Sequence, residues 1–298
     1  MSAHATHRLF VTGASGQLGT LVIDALLARL APERVVAGMR RPDGEAGARL
    51  SARGVAVREA DYDRPETLAA AFAGIDRLLL ISSSEIGRRE AQHRAVIAAA
   101  RAAGIGLVAY TSVLRADTSP LALAGEHRRT EAALAESGLP CVILRNGWYT
   151  ENYAASIPAA LAEGALLGAA GEGRIASAAR ADYAEAAAAV LSAADPAGGA
   201  DAPRIHELAG DGAYTLAEFA AEIARQARRP VAYRDLTEAA FKDALLGAGL
   251  PEPVAALLAQ SDAAAARGAL FDDGRALSRL IGRPTTPAAV TVAAALRR

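Results

Sequence analysis

The hydrophobic pattern near the start of the chain changes its period at a group of glycines. The apolar run at residues 9–11 predicts a buried strand, and from residues 18–26 apolar side chains recur at helical spacing. Between these two patterns Gly13, Gly16 and Gly19 follow one another three positions apart. The sequence therefore predicts a strand, a glycine turn and a helix in immediate succession.

The alternation of strands and helices continues through the first half of the chain. Apolar runs predict further strands at residues 34–39, 55–57, 78–81, 107–110 and 141–144, with helices at about 91–103 and 123–137. A strand regularly followed by a helix is typical of right-handed βαβ units in a parallel sheet. The predicted fold class is therefore α/β: a Rossmann-type, doubly wound parallel sheet with a smaller, mostly helical C-terminal domain.

The later residues divide between these two domains. A loop rich in glycine, alanine and proline at residues 195–203 separates a helix predicted at about 181–193 from a strand at 205–208, and another short strand is predicted at 231–233. We predict a nucleotide-binding domain of residues 1–147, to which the chain returns around 175–210, and a smaller substrate-side domain of residues 148–298. In the helix at 91–103, His93 is predicted to face solvent or an interface.

The glycine turn is a candidate phosphate site. Where a helix begins, backbone N–H groups have no intrahelical partner, and glycine lets a ligand approach the backbone closely. The spacing Gly13-x-x-Gly16-x-x-Gly19 differs from the G-x-G-x-x-G dinucleotide fingerprint and resembles the variant of extended and atypical short-chain dehydrogenases. The alternative is a glycine-rich turn without a ligand, which three regularly spaced glycines at such a junction make the weaker interpretation.

Two charged residues follow the next strands. An NAD-specific site usually has an acidic residue at the end of the second strand, whereas this chain has Arg40, which suits a 2′-phosphate. The alternative is an exposed arginine in a chain rich in arginine, and the residues alone leave the two open. Asp61, just past the third strand, is the candidate for lying beside an adenine ring. Asp63 and Glu66 have the spacing of a helix capping box, so Asp63 is predicted to be structural.

Three serines follow the fully apolar strand at residues 78–81. Ser82, Ser83 and Ser84 are expected at the same rim of the sheet as the glycine turn, because ligands of open α/β sheets bind outside the carboxyl ends of the strands. Ser82 and Glu85 also have capping-box spacing, and both roles can hold together.

An aromatic segment follows the strand at residues 141–144. Residues 145–153 contain the only tryptophan, Trp148, with Tyr149 and Asn146 beside it, in a chain that is only 4% aromatic. Aromatic side chains just past a strand end often form the flat wall of a pocket. The alternative is a core anchor of the smaller domain, which suits Trp148 better than the whole segment.

Composition and charge restrict the partners. A net charge of −1 without a basic run argues against a nucleic-acid or anionic-membrane surface. No run approaches the ~20 apolar residues of a membrane span, and the first residues lack the pattern of a secretory signal. The single cysteine, Cys141, excludes an internal disulfide and is predicted to be a buried thiol. We expect a cytoplasmic protein with a small-molecule partner.

The sequence also excludes familiar catalytic routes. Classical short-chain dehydrogenases use a Tyr-x-x-x-Lys pair, but Lys242 is the only lysine and Glu238 stands four positions before it. Ser112, where that mechanism would place its serine, therefore has no such pair to work with. The five histidines show no metal-ligand spacing, and no Gly-x-Ser-x-Gly motif is present. What is left is chemistry that a bound nicotinamide performs nearly unaided, and hydride transfer to an electron-poor quinone is such a reaction.

Several stretches together carry a specific resemblance. The chain is similar to the NmrA-like branch of the atypical short-chain dehydrogenases, and within it to the bacterial flavin-independent NAD(P)H:quinone oxidoreductases of type 2. The similarity extends over nearly the whole length, through residues 12–19, 78–85, 110–112, 116–121, 145–153, 171–183, 208–211 and 270–273. It implies a Rossmann domain with a smaller helical domain and NADPH as the cofactor, without flavin or metal.

The resemblance also implies roles for individual residues. It places the 2′-phosphate on Arg40, although the neighbouring Arg41 is a departure that leaves open which arginine meets the phosphate. Nicotinamide-side contacts fall on Ser82–Ser84 and on residues 146–149, and Arg180 is matched to an arginine near the cofactor. The pyrophosphate is implied to lie on Gly13, Ala14, Ser15, Gly16, Gln17 and Leu18.

The aromatic segment and the missing Tyr/Lys pair give the catalytic hypothesis. Asn146 and Tyr149 are the candidates for polarising the quinone oxygen, and Trp148 for shaping the quinone pocket. The expected protein is a monomer or homodimer that reduces a quinone with NADPH. The alternative function is that of an NmrA-like redox sensor, which binds the dinucleotide and regulates a partner without turnover.

Overall fold

The computed structural model describes residues 7–197 and 203–297. Contacts divide these residues into two compact units. Unit 1 comprises the described residues within Met1–Val113, Glu126–Arg145 and Tyr183–His206, and unit 2 those within Leu114–Gly125, Asn146–Asp182 and Glu207–Arg298. The domain limits predicted at residues 147 and 175–210 stay a prediction, and the predicted loop at 195–203 lies partly outside the described residues.

Strands and helices alternate along the part of the chain that contributes the main sheet. The strands are β1 (Leu9–Val11), β2 (Val35–Met39), β3 (Ala56–Glu59), β4 (Arg77–Leu80), β5 (Leu107–Val113), β6 (Cys141–Asn146), β7 (Ala165–Gly168), β8 (Arg204–Leu208) and β9 (Ala232–Asp235). The helices in the same stretch are α1 (Gln17–Leu27), α2 (Glu45–Ser51), α3 (Pro65–Ala71), α4 (Arg89–Ala102), α5 (Ala124–Glu136), α6 (Thr150–Ala154), α7 (Ile157–Glu163), α8 (Arg180–Ser192) and α9 (Leu216–Ala227). After β9 the chain forms α10 (Glu238–Gly247), α11 (Glu252–Ala265), α12 (Ala276–Ile281) and α13 (Ala288–Leu296).

The main sheet has the strand order β3-β2-β1-β4-β5-β6-β8. The pairs from β3 through β5 are parallel, and Val11 of β1 lies beside Ala37 of β2 on one side and Leu79 of β4 on the other. The order 3-2-1-4-5-6 is that of doubly wound dinucleotide-binding sheets. This confirms the fold class predicted from the alternating pattern.

The core of unit 1 explains why the first two strands have their sequences. Phe10 of β1 is fully buried and meets Phe72 edge to face, with ring centroids 5.1 Å apart. Gly38 of β2 lies against the same ring, and a Cβ atom there would come within 2.3 Å of Phe10 Cε1. The strand therefore requires glycine at this position because the aromatic ring occupies the space of a side chain.

Unit 2 has a small sheet and helices of its own. β7 pairs with β9 in parallel, and Gly168 lies beside Asp235 at the end of that pair. The fully buried Asp182 accepts hydrogen bonds from the Arg283 guanidinium at 2.8 Å and from both the backbone and the hydroxyl of Thr286. A buried carboxylate is tolerated there because cationic and neutral donors surround it. Among the described residues, no helix is long and apolar enough to span a membrane.

Two local predictions in unit 1 are wrong: that His93 faces solvent or an interface, and that Asp63 caps helix α3. His93 faces the interior and is fully buried, because α4 packs that face against the sheet. The N-cap of α3 is Arg64, without a side-chain cap, and Asp63 instead accepts hydrogen bonds from Arg88 and Gln92. Short-range spacing suggested a capping box at Asp63, but these contacts with residues 25 and 29 positions along the chain determine where its carboxylate lies.

Cys141 is buried at the start of β6, as predicted. Burial raises the pKa of its thiol to about 11, so the thiol stays protonated at about pH 8. In the unfolded chain the cysteine has a pKa of about 8.5, so a sizeable fraction is thiolate at the same pH. We expect a disulfide reagent to modify the native protein at least about 100-fold more slowly than the urea-unfolded protein, because exposure and thiolate formation are both suppressed. The released thiolate chromophore measures both rates, and rapid stoichiometric modification of the native protein would contradict the prediction.

Candidate active site

The predicted cofactor residues of unit 1 lie at the carboxyl ends of neighbouring strands. The glycine turn follows β1, Arg40 follows β2, Asp61 follows β3 and Ser82–Ser84 follow β4. The chain order of the strands reverses between β1 and β4, which makes their carboxyl ends the topological switch point of the sheet. Ligands of open α/β sheets bind at such a point, so the glycine turn and the serine segment flank the position that the fold provides for one.

The glycine turn is built so that only glycine fits at two of its three repeats. Gly13 has a φ of +58°, a left-handed conformation that a side chain disfavours. At Gly19, in the first turn of α1, a Cβ atom would lie 2.2 Å from the carbonyl oxygen of Gly13. At Gly16 the same oxygen would be 3.2 Å away, a tight but milder contact. The absence of side chains at these positions therefore lets helix α1 pack closely against the turn that precedes it.

The N-terminus of α1 is open to a ligand. Gly16 is the N-cap and offers no side chain to the first-turn N–H groups, which leaves them available to an anion. Gly13, Ser15, Gly16 and Gln17 are exposed, whereas Ala14 and Leu18 are buried beneath them. A phosphate fits this geometry because it can accept several backbone hydrogen bonds at a helix terminus.

Arg40 and Asp61 lie at the carboxyl-end rim of the sheet in unit 1, and only weak contacts hold their side chains. The Arg40 side chain is 71% exposed and lies 3.4 Å from the Glu85 carboxylate. An exposed pair of this kind contributes no more than about 1 kcal/mol, so a phosphate dianion can displace it. Asp61 is half-buried, and its carboxylate accepts the Asp63 N–H at 3.1 Å. The structure leaves the proposed ribose-phosphate and adenine contacts of these residues as predictions.

Side chains from the surrounding elements anchor the serine segment from below. The Ser82 N–H donates to Thr111 Oγ1 at 2.9 Å, and the Ser83 N–H donates to His93 Nε2 at the same distance. Arg89 Nε donates to the Ser83 carbonyl oxygen at 2.7 Å. Helix α4 begins only at Arg89, so residues 82–88 form a loop rather than a capped helix start.

The capping-box alternative for the serines is therefore wrong in its acceptor, and no helix begins at this position. The Glu85 N–H is bound by the Ser83 hydroxyl at 3.1 Å, not by Ser82. Ser82 and Ser83 are half-buried and Ser84 is exposed. Hydrogen bonds to its backbone thus hold the loop, and the serine side chains lie at the rim of the sheet.

In unit 2, Asn146 and Tyr149 form one polar group. Asn146 is the last residue of β6 and is buried, and its side-chain amide N–H, not its oxygen, is the group that interacts with the Tyr149 hydroxyl. Burial raises the pKa of the Tyr149 phenol, and the Asn146 bond and the Arg180 cation oppose that rise. The phenol is consequently protonated near neutral pH and has an O–H to donate.

Arg180 holds the Tyr149 ring in place. Its guanidinium carbon lies 4.6 Å from the ring centroid, a cation–π contact, and its backbone N–H donates to the Glu151 carboxylate at 3.0 Å. The backbone on either side of Tyr149 is fixed as well, because the Ala178 N–H donates to the Trp148 carbonyl and the Thr150 N–H donates to the Ala178 carbonyl. The backbone of the aromatic segment is therefore hydrogen-bonded on both sides of Tyr149.

Asn146 Oδ1 is a buried acceptor that the protein leaves unused. Within residues 7–197 and 203–297, no donor lies within hydrogen-bond distance of this atom. An unsatisfied buried acceptor costs about 1–3 kcal/mol, so such an atom marks a position where a ligand can supply the donor. A carboxamide such as that of nicotinamide has the N–H group required.

Trp148 and Tyr153 bear on the two interpretations of the aromatic segment, which are the wall of a pocket and a core anchor of the smaller domain. Trp148 is half-buried, and its ring centroid lies 6.3 Å from that of Tyr153. Tyr153 belongs to the core of unit 2, where its hydroxyl donates to Asp262 at 2.9 Å. Tyr153 is thus the core anchor of unit 2, and Trp148 is the less buried ring beside it.

The residues of the excluded chemistries have structural partners. The Ser112 hydroxyl donates to Glu131, which is also paired with the buried Arg145 at 2.7 Å. Lys242, in α10, lies 2.7 Å from Glu252 of the following helix. Among the described residues, no group of three or more histidine, cysteine, aspartate or glutamate side chains could hold a metal ion.

Sequence reasoning missed the anchors of the serine segment. Thr111, Arg89 and His93 come from β5 and α4, and nothing in their spacing announces a contact with residues 82–83. One signal for His93 was present, because it shares a helical face with Val96, Ile97 and Ala100, all buried. That periodicity places the histidine in the core.

Sheet order and the glycine turn define a dinucleotide-binding α/β protein. The sequence pattern of the NAD(P)H-binding family matches residues 13–194, and the chain belongs to this family. It is 53% identical over 282 residues to quinone oxidoreductase 2 of Escherichia coli, covering 95% of this chain and 96% of that protein.

Solved structures give the same grouping. An E. coli NADPH-dependent quinone oxidoreductase in complex with NADPH superposes with a TM-score of 0.91 at 51% identity, covering 97% of this chain and 99% of that one. A Citrobacter sp. triphenylmethane reductase in complex with NADP(H) superposes with a TM-score of 0.89 at 34% identity, covering 96% of this chain and 99% of that one.

Proposed function

We propose that this protein is an NADPH-dependent quinone oxidoreductase that transfers hydride from the nicotinamide to a quinone without flavin. The observation that carries the proposal is the near-full-length similarity to E. coli quinone oxidoreductase 2. The open glycine turn at the switch point supports the dinucleotide, and the Asn146–Tyr149 group supports the acceptor side.

NADPH supplies a hydride when bound, and the protein residues orient the reactants. We propose that residues 13–18 bind the pyrophosphate, Arg40 the 2′-phosphate and Ser82–Ser84 the nicotinamide side, with Asp61 beside the adenine. The unused Asn146 Oδ1 is suited to accept from the carboxamide. Arg180 acts by holding the Tyr149 ring under its guanidinium.

A quinone needs little from the protein besides hydrogen-bond donors to its oxygen atoms. Hydride adds two electrons and one proton equivalent, and the resulting oxyanion takes its second proton from water to give the hydroquinone. Tyr149, through its protonated hydroxyl, and Asn146, through its amide, would stabilise that oxygen as charge develops. Trp148 would form a flat wall of the pocket. This chemistry requires neither the Tyr/Lys pair nor a metal.

Loss of the near-ultraviolet absorbance of NADPH tests the proposal directly. Purified protein with NADPH is given a panel of benzoquinones and naphthoquinones of increasing size, and we expect turnover that depends on both substrates. A preparation that is folded and binds NADPH but consumes none with any quinone would overturn the proposal.

The regulator alternative predicts a different binding pattern. A sensor without turnover should bind oxidised and reduced dinucleotides with comparable affinity, whereas the enzyme should favour NADPH. Calorimetric titration with NADP⁺, NADPH, NAD⁺ and NADH separates the two. The similarity to a quinone oxidoreductase over nearly the whole chain favours the enzyme. We also propose a cytoplasmic location and a monomer or homodimer, which sedimentation of the purified protein would test.

Replacing Arg40 by alanine should weaken NADPH binding by about tenfold or more and leave NADH binding nearly unchanged. Only NADPH has the 2′-phosphate, and a charge-assisted hydrogen bond contributes about 1.5–3 kcal/mol. Arg41→Ala is the matched comparison, since it removes the same charge one position along an exposed turn, and the arginine that meets the phosphate is the one whose loss affects NADPH selectively. The dissociation constants of both cofactors measure the effect, and equal losses for NADPH and NADH would make Arg40 only a surface charge.

A further inference from the structure

We propose that His93 is a positioning residue that holds Ser82–Ser84 in the conformation that binds the cofactor. The inference rests on the proposed function, because that function places nicotinamide-side contacts on these serines. His93 does not itself reach the rim: it is fully buried in α4. It acts through the Ser83 N–H, which donates to Nε2 of the imidazole at 2.9 Å.

The hydrogen bonds around His93 determine its tautomer. The Ser83 N–H can only donate, so Nε2 must be unprotonated and accept. The other ring nitrogen, Nδ1, lies 2.9 Å from Thr130 Oγ1, whose hydroxyl donates to the Glu126 carbonyl. Nδ1 therefore carries the proton and donates to Thr130. The ring is neutral, and both of its nitrogens have partners.

The surroundings of the ring keep it neutral. Tyr62 and Tyr110 pack against it edge to face, with centroids 6.2 Å and 5.4 Å away. Arg89 on the same helix is the nearby cation, paired with Glu126 of α5 at 2.8 Å, and His127 of α5 is a second buried imidazole. Burial first and the Arg89 charge second lower the pKa of His93 to about 3. The contact with Ser83 therefore persists across the physiological pH range.

The same network anchors the rest of the loop. Glu126 accepts the Gly87 N–H at 2.9 Å, and Arg89 joins Glu126 to the Ser83 carbonyl. Ser83 is thus bound at both its N–H and its carbonyl by side chains of one helix. A loop held by its backbone keeps one conformation whatever its side chains contact, which is what a pre-organised cofactor site requires.

Three variants separate positioning from stability. His93→Phe puts another aromatic ring in the space of the imidazole but leaves the Ser83 N–H without an acceptor. We expect NADPH affinity to fall by about tenfold. His93→Gln returns an oxygen near the position of Nε2, and affinity should recover to within about threefold of wild type. His127→Phe is the matched control: that imidazole is also buried but binds Tyr110 Oη rather than the loop. We expect it to lower thermal stability without changing NADPH affinity.

A measurement on the wild-type protein needs no variant. Nitrogen-15 NMR of labelled histidines should show His93 with Nδ1 protonated, Nε2 unprotonated and no titration between about pH 5 and 8. Loss of protection of the Ser83 amide from hydrogen exchange in His93→Phe would connect the ring to the loop. These readouts do not depend on quinone turnover, so failure of the proposed activity is distinguishable from failure of this inference.

The outcomes are decisive in both directions. A selective loss of NADPH affinity in His93→Phe, its recovery in His93→Gln and the Nδ1–H tautomer support the proposal. Three results would each overturn it: a loss in His93→Phe no larger than in His127→Phe, no recovery in His93→Gln, or a protonated Nε2. If His93→Phe does not fold, the glutamine variant and the wild-type tautomer decide.

Discussion

Gly19→Ala is expected to weaken NADPH binding by at least about 100-fold. The added Cβ would lie 2.2 Å from the Gly13 carbonyl oxygen and 2.8 Å from the Ala14 Cα, both backbone atoms that cannot rotate away. Helix α1 and the turn before it must therefore separate. Two charge-assisted hydrogen bonds to the pyrophosphate, at about 1.5–3 kcal/mol each, would be enough for a loss of that size. Calorimetric titration with NADPH measures it.

Two other glycines provide graded controls for this prediction. A Cβ at Gly16 would be 3.2 Å from the same Gly13 oxygen, so Gly16→Ala should cost about tenfold or less in affinity. At Gly247, in the last turn of α10, nothing lies within 4 Å, and alanine there should leave binding unchanged. Thermal denaturation of all three variants separates a local change in the turn from general destabilisation. Wild-type NADPH affinity in a folded Gly19→Ala protein would contradict the assignment of the turn to the pyrophosphate.

The fold could be predicted from the sequence because patterns among neighbouring residues mark its main strands and helices. Strands β1 and β2 are continuous apolar runs, as strands covered on both faces must be, and so is β4 after its first residue, Arg77. Glycines at 13, 16 and 19 mark the point where the period changes. Short elements escaped prediction: α2, α6 and β7 contain seven residues or fewer, too few for periodicity to show. The extension of β5 through Thr111 and Ser112 escaped as well, because polar residues inside a buried strand look like its end.

The candidate site was predictable where it lies on strand ends and not where it depends on packing. Arg40 and Ser82 follow from the rule that ligands bind at the carboxyl ends of parallel strands. The contact of Arg180 with the Tyr149 ring and that of His93 with Ser83 join positions 31 and 10 apart in sequence, and no spacing rule connects them. Asp63 illustrates the opposite error, since a local capping pattern was present but the side chains of Arg88 and Gln92 bind its carboxylate.

Tyr149→Phe is expected to lower kcat for quinone reduction by about 100-fold while NADPH affinity stays within about twofold. Phenylalanine keeps the ring under the Arg180 guanidinium and removes only the hydroxyl proposed to stabilise the quinone oxygen. Loss of one such donor typically costs about 10²–10³ in kcat, because a pre-oriented donor acts on charge that develops only in the transition state. Single-turnover mixing of the NADPH complex with quinone measures the hydride step itself, and a larger isotope effect with deuterated NADPH would show that this step has become slower.

Tyr153→Phe is the matched control for the loss of a buried hydroxyl. Tyr153 lies four positions along the chain, and its hydroxyl donates to Asp262 in the core of unit 2. Removing it takes a donor from a buried carboxyl whose pKa burial has already raised to about 6, so the variant should lose about 1 kcal/mol of stability. Its kcat should stay within about twofold of wild type, because this hydroxyl is proposed to have no contact with the quinone. Equal kcat losses in the two variants would mean that Tyr149 only supports the aromatic segment, and the donor to the quinone would then have to be sought in Asn146 alone.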